Sequence, residues 1–171
     1  MDARVRRVSW SVSEIVALAA RAARGAGAPP GQAAQFGRAA ARHLAQARDP
    51  EMLVDALKAL PRGAILDVPL ALDEAVEQAA PQGCARIDAQ APVALVQSYV
   101  DTLAFEAQLN FDSGLMLDVN TRAPRAAEGP ARVVGQDGLI EFMERLAART
   151  YVPESDVSRQ KGAGAGISDN D

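Results

Sequence analysis

A chain of 171 residues that is 49% hydrophobic is long enough for one domain with a buried core, and at 4% aromatic that core is packed from Ala, Leu and Val, not large rings. Cys84 is the only cysteine, which excludes an intrachain disulfide, and the strongest apolar run, IVALAA at 15–20, is far too short to cross a bilayer. Net charge is −4 but unevenly spread: residues 1–62 carry ten Lys or Arg against five Asp or Glu, and residues 63–171 carry eight against seventeen.

In chain order, the first predicted element is a helix with a complete start signal. In WSVSEI, Ser11 is a candidate N-cap, Glu14 the returning residue of a capping box, and Trp10 and Ile15 the two staple positions. Val12, Ile15, Leu18, Ala19 and Ala22 form its apolar face, with Arg21 and Arg24 pointing away. GAGAPPG (25–31) turns the chain into a second helix whose stripe is Ala33, Phe36, Gly37, Ala40 and Leu44. A glycine inside a helix costs stability, so Gly37 marks close packing of the two helices. Asp49-Pro50-Glu51 reads as the start of a third helix, running to Leu60 and stopped by Pro61.

The middle changes character. AILDV (64–68) reads as a short strand and LALDEAVEQAA (70–80) as a helix. CARIDA (84–89) alternates, Ala85 and Ile87 against Arg86 and Asp88. A helix over 92–104 carries Val93, Val96, Val100 and Leu103, flanked by Leu95 and Tyr99. EAQLNF-DSG-LMLDV is a hairpin with Ala107, Leu109 and Phe111, then Leu115, Leu117 and Val119, facing inward. Residues 121–130 read as a loop, ARVV as an edge strand, and Asp137 as the cap of a last helix built on Leu139, Ile140, Met143 and Leu146. The expected fold is α+β: a helical N-terminal part packed with a small, mainly antiparallel sheet, as one domain over 1–153 followed by a C-terminal segment, 154–171.

Three side-chain groups invite chemistry, each with a plainer reading. His43 is the only histidine, lies on a helix, has no carboxylate four residues away, and reads as a surface or half-buried structural residue. Cys84 reads as a small buried hydrophobe. Asp73 and Glu77 share a helix face, with Glu74 beside them, but nothing else at telling spacing completes a cation site. The basic start (Arg4, Arg6, Arg7) is interrupted by Glu14 and Arg21 where a signal peptide would be apolar, so the expected compartment is the cytoplasm. A front of +5 and a remainder of −9 suggest self-association, one half of a protomer facing the other half of its neighbour. Nucleic-acid binding would want aromatics interleaved with the arginines, and only Trp10 is near them; no nucleic-acid and no membrane partner is expected.

The end of the chain, TYVPESDVSRQKGAGAGISDND, differs in kind. Glycines at 162, 164 and 166 let successive N–H groups converge on an anion, and Arg159 supplies neutralising charge. It is neither a Walker loop nor a dinucleotide fingerprint, and no cofactor is expected. The candidate ligand-binding residues are Tyr151, Ser155, Ser158, Arg159, Gly162, Gly164, Gly166, Asp169, Asn170 and Asp171.

VSWSVSEIVALAARAARGAGAPPGQAAQFGRAAARHL at the front and YVPESDVSRQKGAGAGISDND at the end resemble an uncharacterised proteobacterial domain-of-unknown-function family, whose end motif is Y-V-P-x-S-x-x-S-R-x-x-G-A-G-A-G-x-x-D-N-D. APVALVQSYVDTLA in the middle is a looser match. Family members tend to carry a Trp after the ARGAG turn, where this chain has APPG, so no aromatic role is carried over there. The resemblance implies a site at the C-terminal segment and no reaction. Two functions follow as expectations: a cytoplasmic binding or accessory protein whose C-terminal segment docks on a partner or neighbouring protomer, or a small enzyme or sensor holding a phosphate- or carboxylate-bearing metabolite through Arg159 and the glycines.

Overall fold

The computed structural model describes residues 9–80, 83–111, 114–126 and 129–150. Ser9–Ser11 form a short strand, β1, which the sequence pattern did not announce, and it runs directly into helix α1, Val12–Gly25. The capping box is formed: Glu14 N–H donates to Ser11 Oγ at 3.2 Å and Ser11 N–H donates to Glu14 Oε2 at 2.7 Å. Those bonds, the backbone one foremost, hold the Glu14 carboxyl below its ordinary pKa. Ser11→Ala is expected to lower the unfolding free energy by about 1 kcal/mol, read as a shift in urea midpoint at unchanged slope.

Helix α1 buries Ile15, Leu18, Ala19, Ala22 and Ala23 and ends in a Schellman turn. Ala28 N–H donates to the Ala23 carbonyl (2.9 Å) and Gly27 N–H to that of Arg24 (3.0 Å), with Gly27 at φ 104°. Helix α2, Pro30–Ala45, returns along α1. A Cβ at Gly37 would lie 2.5 Å from the Val16 carbonyl oxygen and 3.0 Å from Ala20 Cβ, so the glycine does mark the close helix crossing. Phe36, Ala33 and Ala40 are buried around it.

Helix α3, Glu51–Ala59, opens with Asp49 Oδ1 accepting from Glu51 N–H at 3.0 Å. Residues 64–68 are not a strand. They are the first turns of a single helix, α4, Ala64–Ala79, which contains Pro69. Ile65, Val68, Leu72, Ala75 and Ala79 recur at steps of three and four and are all buried, and that face outweighs the one backbone bond a proline removes. Strand β2, Cys84–Arg86, leads into a segment that buries Ala85 and Ile87 as the alternation required. Cys84, however, is exposed, because the strand turns its side chain to the same face as Arg86. Helix α5, Val93–Val100, stops short of residue 104. Its buried face is Leu95, Val96, Tyr99 and Val100, while Val93 is 45% exposed.

The hairpin is present, as strands β3, Phe105–Asn110, and β4, Met116–Pro124, with Ala107 opposite Val119 and Leu109 opposite Leu117. Two details differ from the sequence expectation. Phe111 lies beyond the last paired residue and is 55% exposed. Residues 121–124 continue β4 and are not a loop, because Pro124 pairs with Phe105 past an irregularity, and Arg125 N–H then donates to the Ala104 carbonyl at 2.9 Å. β4 is central in an antiparallel sheet of order β2–β4–β3. Strand β5, Arg132–Val134, forms a separate two-stranded antiparallel sheet with β1.

Helix α6, Asp137–Ala147, buries Leu139, Ile140, Met143 and Leu146 against α1 and continues as a 3₁₀ turn, Ala148–Thr150. Asp137 is its first helical residue, not its cap; Gln136 holds the cap position without a side-chain bond. The result is an α+β fold in which helices enclose an alanine-rich core. Among the described residues no helix is long and apolar enough to cross a membrane.

Candidate functional site

The ten residues proposed from sequence, Tyr151, Ser155, Ser158, Arg159, Gly162, Gly164, Gly166, Asp169, Asn170 and Asp171, lie outside the described residues. The described part contributes a polar cluster and an open cleft, and the two meet at the turn between α2 and α3.

That turn repeats the Schellman geometry at the end of α1, but without glycine. Arg48 N–H donates to the His43 carbonyl (3.1 Å) and Ala47 N–H to that of Leu44 (3.0 Å), with Ala47 at φ 50°. A Cβ is unfavourable in this left-handed region by about 1 kcal/mol. Ala47→Gly is therefore expected to raise stability by up to about 1 kcal/mol, seen as a higher urea midpoint.

The turn places Arg48 over the C-terminal end of α5. Its Nη2 donates to Asp101 Oδ2 at 2.7 Å and its Nη1 to Ser98 Oγ at 2.8 Å, and Gln97 Nε2 donates to the other Asp101 oxygen at 2.8 Å. His43 is fully buried, a correction to the surface or half-buried reading, with Nδ1 2.8 Å from Ser98 Oγ and Nε2 2.8 Å from the Asp49 carbonyl oxygen. The partners fix the tautomer of the neutral ring. A carbonyl only accepts, so Nε2 holds the hydrogen, and Nδ1 accepts from the Ser98 hydroxyl. Ser98 Oγ also lies 2.8 Å from the Ala94 carbonyl, to which the hydroxyl turns when the ring is protonated. Burial pushes the His43 pKa below its ordinary value; the Asp49 carbonyl opposes that, and the nearby Arg48 charge adds to it.

A serine hydroxyl 2.8 Å from an imidazole has the spacing of a nucleophile and base. Here both side chains are fully buried and the hydroxyl already receives Arg48, so no substrate atom can reach it. The cluster instead holds Arg48 and the α2–α3 turn rigid. Beside it on α5, Tyr99 is also buried, and its hydroxyl has no partner among the described residues; burial raises its pKa well above the usual value.

The cleft, about 680 Å³, lies between this turn and residues 130–137. Leu44, Ala45 and Pro50 give one wall its apolar character, and Val133 and Val134 contribute to the other. Arg48 and Asp49 reach it from the turn, Arg132 and Asp137 from the opposite side. Arg132 is anchored to β1, its Nε donating to Ser9 Oγ (3.0 Å) and its Nη2 to the Ser9 carbonyl (2.5 Å). The cleft therefore offers both charge signs beside apolar walls.

The remaining sequence candidates are not brought to it. Asp73 and Glu77 are exposed on α4, and no group of three or more His, Cys, Asp or Glu suited to a metal ion occurs among the described residues. Ser98, Arg48 and Asp101 went unnoticed in the sequence. Arg48 lies about fifty residues from the other two, and the turn that presents it lacks the glycine that would advertise it. Compared with known proteins, the chain matches no family model, no curated protein and no solved structure.

Proposed function

We propose that this chain is a cytoplasmic binding or accessory protein, a homodimer, whose C-terminal segment, residues 154–171, docks on a neighbouring protomer or another partner. The observation that carries the reading is the cleft itself. It is open, apolar along its walls, and lined by Arg48 and Arg132 on rigid supports, while the neighbouring Ser–His pair is sealed from any substrate. Such a surface is suited to holding a chain segment and not to transforming a small molecule. The single cysteine and the opposed charges of the two parts of the chain are consistent with a reduced compartment and with self-association.

The test is deletion of residues 162–171. Far-UV circular dichroism should be unchanged, since the sequence places no core position there, while sedimentation equilibrium should show weakened self-association. A deletion variant that associates as strongly as the full chain, or a full chain that is monomeric at every concentration, overturns the proposal.

A further inference from the structure

We propose that the unpaired edge of β5, with the cleft it borders, receives the C-terminal segment of a second copy of this chain as an added strand; this rests on the docking role proposed above. Among the described residues strand β5 has one partner, β1. The register pairs Trp10 with Val133, and Val12 N–H donates to the Ala131 carbonyl at 3.2 Å. In an antiparallel ladder the bonding residues alternate, so Trp10 and Val133 face one another through hydrogen bonds. Arg132 and Val134 then direct their N–H and C=O groups away from β1. Among the described residues no backbone group takes them up. Two donors and two acceptors thus stand in a row on a segment that lines the cleft, and the Val134 side chain beside them is 51% exposed. An unpaired edge with an exposed apolar side chain is a template for a further strand.

The occupant follows from what such an edge rewards. In GAGAG (162–166) no side chain is larger than a methyl, so side-chain burial cannot offset the large entropy lost when it is ordered; backbone hydrogen bonds must. A small-residue strand also fits closely between the β5 edge and the wall of Leu44, Ala45 and Pro50. The segment carries both charge signs, Arg159 and Lys161 before the run and Asp169 and Asp171 after it, and the cleft offers partners for each in Asp49, Asp137, Arg48 and Arg132. The opposed net charges of the two parts of the chain, +5 over residues 1–62 and −9 over residues 63–171, favour a second copy as the source.

The experiment uses the full chain and a fluorescein-labelled synthetic peptide of residues 154–171, with binding read by anisotropy and amide hydrogen exchange read by NMR. The peptide should bind saturably. The Arg132 and Val134 amides should exchange about tenfold or more slowly, both when peptide is added and when protein concentration is raised. Val134→Pro removes one edge donor without touching the β1–β5 ladder and should weaken peptide binding about tenfold, whereas Val134→Thr keeps the donor and should stay within about twofold. Should the proline variant not fold, exchange in the unmodified protein decides alone. Binding without protection at Arg132 and Val134 overturns this receptor site and leaves the docking role standing. Protection that is independent of concentration and of peptide means the chain's own segment fills the edge, and overturns the second-copy assignment. Absence of both peptide binding and concentration-dependent mass overturns the docking role together with this one.

Discussion

Replacing Gly25 with alanine is expected to lower the unfolding free energy by about 3 kcal/mol, the upper end of the usual cost of overpacking. A Cβ at this position would lie 1.8 Å from the Leu146 carbonyl oxygen and 2.7 Å from its carbon. Both are backbone atoms, so no side-chain rotation relieves the clash; α6 must retreat from α1 by roughly 1.5 Å along a close-packed seam. That seam includes Ala22, Ala23, Met143 and Leu146 among its buried residues, and all would lose contact together. Gly31 is the matched control. A Cβ there meets nothing within 4 Å, so the same substitution in α2 should be neutral or stabilising by up to about 1 kcal/mol. Urea denaturation of the two variants should move the midpoint in opposite directions. Equal shifts would mean that backbone propensity, not the α1–α6 contact, governs Gly25.

His43→Ala should cost about 3 kcal/mol, combining a cavity with the loss of two buried hydrogen bonds. The sharper test is its pH dependence. Burial lowers the folded-state pKa of His43 from its ordinary 6.5, so the unfolded chain binds the proton more readily than the folded one. The stabilisation is therefore complete above about pH 6.5 and is lost as pH falls toward the folded value, with a slope of at most about 1.4 kcal/mol per unit. His43→Ala lacks this dependence. The difference between the two proteins, measured from about pH 7.5 to about pH 5, isolates the histidine from the carboxylates that titrate lower. A difference that stays constant across that range would show that the ring is not desolvated in the fold.

What the sequence disclosed was what depends on near neighbours. The Ser11–Glu14 box lies within four residues, and Gly37 was legible because a glycine inside an apolar helical stripe has few other uses. The hairpin was legible as well, since its alternation and Asp-Ser-Gly link sit together. Ile65 and Val68 misled because β-branched residues just before Pro69 imitate a strand ending at a proline, and only packing reveals the continuous face through Ala79. The β1–β5 pairing joins residues 9–11 to 132–134, and the His43–Ser98 bond spans fifty-five positions. Neither leaves a local pattern. The cleft is invisible for the same reason: its two walls come from parts of the chain that only the fold places side by side.

The lone tryptophan gives the molecule a built-in optical reporter. Trp10 sits on β1 opposite Val133, half-buried, with its Cδ1 3.0 Å from where a Cβ would stand on Gly135. Emission excited selectively at the indole thus follows the surroundings of the small β1–β5 sheet, where Trp10 packs against the core, while far-UV circular dichroism is dominated by the helices. Loss of the sheet ahead of the bundle would separate the two melting curves, and a strand added at Val134 would change the environment of the indole across the same ladder without any label.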